Sequence, residues 1–340
     1  MRLAIFAFTR RGCALAKRIR DALADRTEQC RMFTMEKFAM PGFEPYAPPL
    51  TGFVKPLFDW ADQLVFVGST GMAIRAIAPW VKDKKTDPGV MVADEGGRFV
   101  ISLLSGHIGG ANGLTRLLAA ALGAQPVITT ATDVNGRFSV DDWAARKGLT
   151  IGSMAAAKSV SAAILEENVP LYSDFPIVSP LPSGVVPGEQ GTLGIYIGWR
   201  DARPFENTLR LIPRVLQLGI GCRKGISVEA VEKAVSAVLE NNRIPRAALC
   251  AVASIDLKAR ERGLLDFCQQ WELPVRFYSA EELRQVPGTF APSEFVKSIT
   301  GVDNVCERAA MLGARSLIVH KTAMDGVTVA LAEKAWEVVF

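Results

Sequence analysis

The chain has 340 residues, of which 49% are hydrophobic and 22% charged, and its formal net charge is +4. This composition is globular, argues against extensive disorder, and suits two or three domains that each bury a core. The 39 basic and 35 acidic side chains are interspersed, which disfavours nucleic acid as a partner but suits a small polyanion where positive groups converge on a cleft.

The N-terminal third alternates strand and helix patterns. Residues 3–8 are a short apolar run followed by helical spacing over 13–23, and residues 63–67 (QLVFV) are a buried-strand run ahead of another helical segment. Arginines interrupt the first run early, which predicts a strand and helix rather than a signal peptide. Residues 39–53 (AMPGFEPYAPPLTGF) are rich in proline and glycine and predict an extended loop.

A hairpin is predicted over residues 89–104 (GVMVADEGGRFVISLL), with its turn at 94–97, where glycines supply the positive φ. It leads into FVISLLSGHIGGANGLTRLLAAALG (99–123), a strand, a glycine loop and a helix. AQPVITTATD (124–133) then adds a short strand and a threonine-rich loop. These patterns predict a doubly wound, flavodoxin-like α/β domain over residues 1–135.

The rest of the chain predicts two further α/β domains. Residues 136–212 contain a helical stretch (153–167), a Pro/Gly-rich passage and the strand-like TLGIYIGW, and predict a small middle or linker domain. Over 213–340 the regular pattern resumes, with Ser227 as a helix N-cap and a final pair of strands around Asp325 and Gly326.

The cysteines predict reduced thiols rather than a metal site or disulfides. They are far apart, with no CxxC pair and no nearby histidine at metal-ligand spacing. The six are Cys13, Cys30, Cys222, Cys250, Cys268 and Cys306. No apolar run reaches the length of a membrane span. We therefore expect a cytoplasmic protein with no membrane partner.

Three glycine loops follow predicted strands and precede predicted helices: GSTGM (68–72), SGHIGGANG (105–113) and GIGCRKGIS (219–227). Unpaired backbone N–H groups and the positive helix end at such positions attract phosphate or carboxylate. A glycine there also simply permits a tight turn, but three such loops favour ligand binding. None is a P-loop, and none has the complete GxGxxG spacing, so a nucleotide or sugar-phosphate enzyme is the weaker alternative.

His107, in the second loop, is one of only two histidines. Its near-neutral pKa suits proton transfer, whereas a bond to a local carbonyl would make its role structural. Asp94 and Glu95, in the hairpin turn, would orient or charge the imidazole if the hairpin and the loop fold over one cleft. Otherwise they are solvated turn residues. Arg223 and Lys224, in the third loop, are the better-placed cations for an anion.

The candidate substrate-binding residues all belong to the three glycine loops. They are Gly68, Ser69, Thr70, Gly71, Ser105, Gly106, Gly109, Gly110, Asn112, Gly221, Arg223 and Lys224. His320, at the end of a late predicted strand, is expected at the surface or at the edge of a cleft.

Residues 83–133, with DEGG and SGHxGGAN in order, closely resemble the signature region of the CbiG family, the cobalt-precorrin-5A hydrolases of anaerobic cobalamin biosynthesis. GIGCRKGIS, ASIDLKARERGLLDFCQQWELPVRFYSAEEL and GVTVALA resemble the family's C-terminal domain, which is similar to the stand-alone CobE proteins of the aerobic pathway. The resemblance covers most of the chain, and residues 135–211 are the least diagnostic.

The resemblance implies a hydrolase that opens the ring A δ-lactone of cobalt-precorrin-5A and releases acetaldehyde, giving cobalt-precorrin-5B. We expect His107 to activate water, with Asp94 or Glu95 as support or substitute, and the N–H groups around Gly109 and Gly110 to stabilise the oxyanion. No added cofactor is implied, because the cobalt is carried by the substrate.

The expected partner is this polycarboxylate tetrapyrrole, and contacts with other enzymes of the pathway and a homodimer are left open. The alternative function is a non-catalytic tetrapyrrole-binding carrier in the same pathway.

Overall fold

This computed structural model describes residues 1–83 and 86–340. Lys84 and Lys85, part of the family-like segment 83–133, lie outside the described residues. The chain divides into two compact units. The first comprises Met1–Arg146 and Ile164–Glu167, and the second comprises Lys147–Ala163 and Asn168–Phe340.

The first unit is built on one seven-stranded sheet. Its strands are β1 (Arg2–Ala7), β2 (Gln29–Met35), β3 (Glu44–Tyr46), β4 (Gln63–Val67), β5 (Gly89–Ala93), β6 (Phe99–Leu104) and β7 (Gln125–Val127). Its helices are α1 (Arg10–Ala22), α2 (Leu50–Trp60), α3 (Thr70–Ile77), α4 (Ala111–Leu122), α5 (Ala131–Val134) and α6 (Val140–Arg146). The strands lie in the order β3-β2-β1-β4-β5-β6-β7.

Strand direction reverses once across this sheet. β1 to β5 are parallel, β6 is antiparallel to β5, and β7 is parallel to β6. The reversal occurs because a tight turn joins β5 to β6, whereas a parallel neighbour requires a long crossover. We call the edge where β1, β4 and β5 end the carboxyl edge. The opposite edge, where those strands begin and β6 and β7 end, is the amino edge.

Alternate side chains of the central strands face two helical layers. Leu3 and Ile5 of β1 pack with α1 and α4, while Ala4 and Phe6 pack with α2 and α3. Fully buried strands between two helical layers are typical of a doubly wound sheet. This confirms the predicted α/β class. Without the three-residue edge strand β3, the order begins as in flavodoxin-like sheets, apart from the reversed β6.

One loop prediction is wrong in part. The stretch 39–53 was expected to be extended throughout, but β3 lies within it and α2 begins at Leu50. The helix forms because Val54, Leu57 and Phe58 are spaced to bury one face against the sheet. The proline-rich segment before Leu50 is confirmed as non-helical.

The second unit contains two five-stranded sheets. The strands of the first are β8 (Thr150–Ile151), β9 (Val169–Ser173), β10 (Val185–Pro187), β11 (Leu193–Ile197) and β12 (Asn207–Ile212). Those of the second are β13 (Leu216–Cys222), β14 (Leu249–Ile255), β15 (Val275–Tyr278), β16 (Ser316–Met324) and β17 (Val327–Glu333). The remaining helices are α7 (Met154–Glu166), α8 (Val228–Asn241), α9 (Arg262–Gln270), α10 (Ala280–Gln285), α11 (Glu294–Thr300) and α12 (Val305–Met311).

The C-terminal sheet has the order β15-β14-β13-β17-β16. β13, β14 and β15 are parallel to one another. β17 is antiparallel to its neighbour β13, and β16 is antiparallel to β17. Asp325 and Gly326 have φ values of 49° and 84°, as the predicted two-residue turn requires. Ser227 caps α8 by accepting from the Ala230 N–H at 3.3 Å, as predicted. Among the described residues, no helix combines the length and the apolar sequence that a bilayer crossing requires.

Helix α12 lies so close to β13 that only glycine fits at position 219. A β-carbon on Gly219 would lie 1.8 Å from the carbonyl oxygen of Cys306 and 2.6 Å from the amide nitrogen of Ala310. Gly219→Ala should therefore lower the free energy of unfolding by about 3 kcal/mol, measured by urea unfolding. Gly113→Ala, inside α4 with no atom beyond its chain neighbours and its own helix backbone within 4 Å of the added carbon, should leave stability equal or higher. Equal stability of the two variants would contradict the close packing of α12.

Candidate functional site

His107 lies between two carboxylates at the amino edge of the first unit. Its Nε2 atom is 3.2 Å from Asp133 Oδ2, and its Nδ1 atom is 3.4 Å from Asp141 Oδ1. The three side chains are mostly buried, with exposed fractions of 20%, 13% and 11%, respectively. We call these residues, together with Arg116, the His107 cluster.

Strand direction brings this cluster together. β6 and β7 are parallel neighbours, so the segments that follow them meet at one edge of the sheet. The first segment carries His107. The second carries Thr130, the N-cap residue of α5, and Asp133 within that helix. Asp141 comes from α6, which follows directly along the chain.

The two carboxylates have different partners. Asp133 bonds to Arg116 and Thr130 and accepts a third bond from Asn112 Nδ2 at 2.9 Å. Asp141 accepts from the Ser139 hydroxyl at 3.0 Å and from the Asp142 N–H at 3.1 Å. The guanidinium of Arg116 therefore balances the charge of Asp133. Within the described residues, the cationic partner of Asp141 is His107.

These contacts raise the pKa of His107 and lower the pKa of Asp141, and both shifts favour the charged forms. Hydrogen bonding and charge attraction from Asp141 raise the pKa of His107 above its ordinary value and outweigh burial, with a smaller effect from Asp133. Burial works to raise the pKa of Asp141, but the bond and charge of His107 lower it to about 2. Asp141 has the larger effect on His107, although its contact is longer. The cluster therefore favours a protonated imidazole.

The glycine loop around His107 uses its own backbone donors. The Gly110 N–H donates to the His107 carbonyl at 2.8 Å, and the Asn112 N–H donates to the Gly106 carbonyl at 2.9 Å. The expected oxyanion role for the Gly110 N–H is therefore corrected, because this donor already has a partner within the turn. At Gly109 a β-carbon would lie 2.4 Å from that of Ser105, so this glycine permits close packing.

Buried polar atoms remain without partners beside this loop. The Oγ atom of Ser105 and the Oδ1 atom of Asn112 are buried and accept or donate no hydrogen bond within the described part of the chain. Ser105 also has a φ of 52°, which is uncommon for a residue other than glycine. The turn that presents His107 is therefore held in an unusual conformation.

Asp94 and Glu95 lie at the opposite edge from His107. Asp94 accepts from the N–H groups of Arg98 and Phe99 at 2.7 and 2.6 Å, and Glu95 accepts from the Thr9 hydroxyl at 2.5 Å. The expected support of His107 by Asp94 or Glu95 is corrected. The reason is that β6 runs antiparallel along the five-residue strand β5. The end of β6 that leads to His107 is therefore roughly 16 Å from the turn that carries Asp94 and Glu95.

The first glycine loop also lies at the carboxyl edge. The Gly68 N–H donates to the Ala93 carbonyl at 2.9 Å, and Ser69 is the N-cap residue of α3, with Thr70 and Gly71 in the first turn. This loop follows β4, whose neighbour β1 connects to the other side of the sheet. Such a switch point is where open α/β sheets bind ligands. The loop is therefore close to Asp94 and Glu95 along the edge, and away from His107.

The third loop belongs to the second unit. Gly221, Arg223 and Lys224 line a cavity of about 600 Å³. His320 lies on β16 with an 81% exposed side chain, and its Nδ1 atom is 3.2 Å from Glu307 Oε1. The predicted site residues thus lie at both edges of the sheet of the first unit and in the second unit.

Comparison with known proteins places the chain in a family. The models "Cobalamin synthesis G N-terminal" and "Cobalamin synthesis G C-terminus" match residues 52–133 and 216–332. The sequence is 35% identical to a cobalt-precorrin-5A hydrolase of Salmonella typhimurium over 345 residues, which covers 97% of each chain. The chain belongs to the cobalamin synthesis G (CbiG) family. This confirms the resemblance found in the sequence.

Other relatives of this CbiG-family protein support the same family assignment. A cobalt-precorrin-5A hydrolase of Priestia megaterium is 33% identical over 97% of this chain and 94% of that protein. Protein CobE of a Sinorhizobium species is 36% identical over 124 residues, 35% of this chain and 80% of that protein. The N-terminal family model includes both His107 and Asp133, and the C-terminal model includes Arg223.

Sequence reasoning missed Asp133, Asp141 and Arg116. A signal was present for Asp133, which ends the threonine-rich loop after β7. The predicted hairpin reverses the chain before His107, and a strand parallel to β6 would carry Asp133 to the same edge. Asp141 follows an irregular segment, and no spacing in the sequence indicates its contact with His107.

The pKa of His107 should respond to Asp141 and not to Asp94. Asp141→Asn removes the carboxylate that most favours the imidazolium, so the pKa of His107 should fall towards its ordinary value. An NMR titration of the two histidines measures this change. Asp94→Asn, at the carboxyl edge, should leave the pKa of His107 unchanged. A lower pKa in the Asp94 variant would place the two residues together after all.

Proposed function

We propose that this CbiG-family protein is a cobalt-precorrin-5A hydrolase, which opens the ring A δ-lactone and releases acetaldehyde to give cobalt-precorrin-5B. Two relatives with that name, matched over 97% of the chain, support the substrate. The observation that carries the catalytic assignment is the burial of His107 between Asp133 and Asp141. An imidazole held by a carboxylate is suited to moving a proton.

His107 acts through Nε2 in this proposal. Asp141 has no second cationic partner within the described residues, so it keeps its contact with Nδ1 and orients the ring. Asp133 retains Arg116 and Thr130 when Nε2 leaves it. The bond from Nε2 to Asp133 is therefore the one that substrate and water replace, since hydrogen bonds at active sites often rearrange on binding.

Arg116 supplies positive charge next to this nitrogen. Its side chain is 51% exposed while it contacts Asp133, and a guanidinium carries five donors. The donors that do not bond to Asp133 bind a carboxylate of the substrate or the oxyanion. Arg116 thereby takes the place of the Gly110 N–H, which the turn already uses.

The reaction needs one water molecule and no added cofactor. Neutral His107 accepts a proton from water as the oxygen adds to the lactone carbonyl, and the ring C–O bond breaks to leave a carboxylate and an alcohol. The imidazolium returns its proton to solvent, and the alcohol then also loses its proton to solvent as it becomes the carbonyl of acetaldehyde. The electron pair of the broken carbon–carbon bond passes to the conjugated macrocycle, and cobalt remains part of the substrate.

A carrier is the second candidate function. It is favoured by the cavity in the second unit, which includes Arg223 and Lys224, and by the similarity to CobE. A carrier binds the tetrapyrrole without changing it, so product formation distinguishes the two.

The hydrolase is tested by anaerobic incubation of the protein with cobalt-precorrin-5A. Acetaldehyde is trapped as a hydrazone, and the mass of the macrocycle is followed. We expect one acetaldehyde per macrocycle with the matching mass change. Tight binding without acetaldehyde would support the carrier, and no binding would contradict both functions.

His107→Asn should lower acetaldehyde release by about 100-fold or more, the size of a general-base contribution, with substrate affinity nearly unchanged. The amide cannot accept the proton from water. His320→Asn is the matched control, because the other histidine is exposed on β16, and it should keep full turnover. Full turnover by the His107 variant would refute the assignment.

The pH profile follows from the raised pKa of His107. Only the neutral ring accepts a proton, so kcat/KM should fall as the pH drops through a value above the ordinary histidine pKa of about 6.5. Asp141→Asn should move this acid limb to lower pH. An acid limb that stays in place in the Asp141 variant would assign the titration to another group.

A further inference from the structure

The second unit contains a cavity of about 600 Å³ that the proton-transfer chemistry does not use. It lies at the carboxyl ends of β13 and β14, and is closed by α11, the start of α12 and the β16–β17 hairpin. β13 connects to β14 on one side and lies beside β17 on the other. The cavity is thus at a switch point of an open α/β sheet, where such folds bind ligands.

Most of the surface of the cavity wall is apolar. Ile255 and Val327 are buried in its floor. Leu257 of the loop after β14 and Ile299 of α11 also line it, yet each is 62% exposed. Large apolar side chains that face one concave space while remaining exposed are typical of a binding surface for an apolar ligand.

The same cavity carries an excess of positive charge. Lys258 pairs with Glu261 at 3.5 Å, and Asp325 pairs with Lys233 at 2.8 Å. Three further cations of the wall form no ion pair within residues 1–83 and 86–340: Arg223, Lys224 and Lys321. Burial raises the pKa of the Cys222 thiol to about 11, so this group adds no negative charge.

The hairpin is shaped to hold Arg223. The Arg223 N–H donates to the Gly326 carbonyl at 3.0 Å, and a β-carbon on Gly326 would lie 2.8 Å from Arg223 Cδ. The absence of a side chain at Gly326 therefore leaves room for the arginine to lie across the hairpin. The hairpin backbone at Gly326 therefore sets the position of Arg223.

We propose that this cavity binds a tetrapyrrole macrocycle, with the ring against Leu257 and Ile299 and carboxylates on Arg223, Lys224 and Lys321. The apolar wall and the three cations by themselves specify an apolar polyanion, and the tetrapyrrole class rests on the proposed function. Binding here requires no chemical step, so the site retains a macrocycle that does not react.

The test is a fluorescence titration of the full-length protein with uroporphyrin III, an octacarboxylate porphyrin without a reactive lactone. We expect saturable binding that weakens as salt is added, because exposed charge contacts are screened. Arg223→Ala combined with Lys321→Ala should raise Kd by about tenfold at low salt and by less at high salt. Leu257→Asp should also raise Kd, at both salt concentrations.

Arg315→Ala is the matched control, since Arg315 is an exposed cation of the same unit at the other end of β16. It should bind uroporphyrin III like the unmodified protein. Circular dichroism establishes that each variant is folded. No binding by the unmodified protein, or equal Kd values for the cavity variants and the control, would overturn the proposal.

The outcome is separable from that of the hydrolase test. Cavity-dependent binding of uroporphyrin III without acetaldehyde from cobalt-precorrin-5A would support the cavity and refute the hydrolase. Acetaldehyde release that the cavity variants leave unchanged, together with unchanged porphyrin affinity, would support the hydrolase and refute the cavity.

Discussion

The direction of β6 is the constraint on which the candidate catalytic site depends. A tight turn after β5 forces the chain back antiparallel, and the βαβ connection through α4 then makes β7 parallel to β6. The ends of these two strands meet at the amino edge, away from the ends of β1, β4 and β5. His107 and Asp133 become neighbours for this reason, and Asp94 is separated from them for the same reason.

The composition of the His107 cluster limits what it can do. Burying carboxylates is costly unless cations and hydrogen bonds compensate. Arg116 satisfies this condition for Asp133, and a protonated His107 satisfies it for Asp141. Deprotonation of His107 at Nε2 removes the positive charge beside Asp141, whose partners among the described residues are then all neutral: Nδ1 of the ring, the Ser139 hydroxyl and the Asp142 N–H. The pairing of His107 with Asp141, which orients the ring, therefore also raises the affinity of the ring for a proton.

Periodicity and turn chemistry predicted the α/β class, most strands and the Ser227 cap, because these depend on local sequence. The His107 loop was also identified, since glycines around a rare histidine are a local signal. The contacts of His107 with Asp133 and Asp141 were not, because they depend on how strands neighbour each other. The hairpin over 89–104 was predicted, and its reversal already implies that Asp94 and His107 lie at opposite ends of it. Residues at 39–53 show the converse error, in which proline and glycine content concealed the apolar helical spacing from Leu50 onwards.

The two candidate functions make different demands on the chain. A carrier requires a surface that matches a macrocycle, and the cavity around Arg223 and Lys321 meets that demand through apolar contacts and positive charge alone. It gains nothing from a histidine buried between two carboxylates, an arrangement that must be compensated electrostatically. The hydrolase that we propose requires a group that takes a proton from water, while the conjugated substrate itself would accept the electron pair of the broken carbon–carbon bond. One oriented imidazole is then sufficient as the catalytic base. The presence of the His107 cluster in the same chain as the cavity therefore favours the hydrolase.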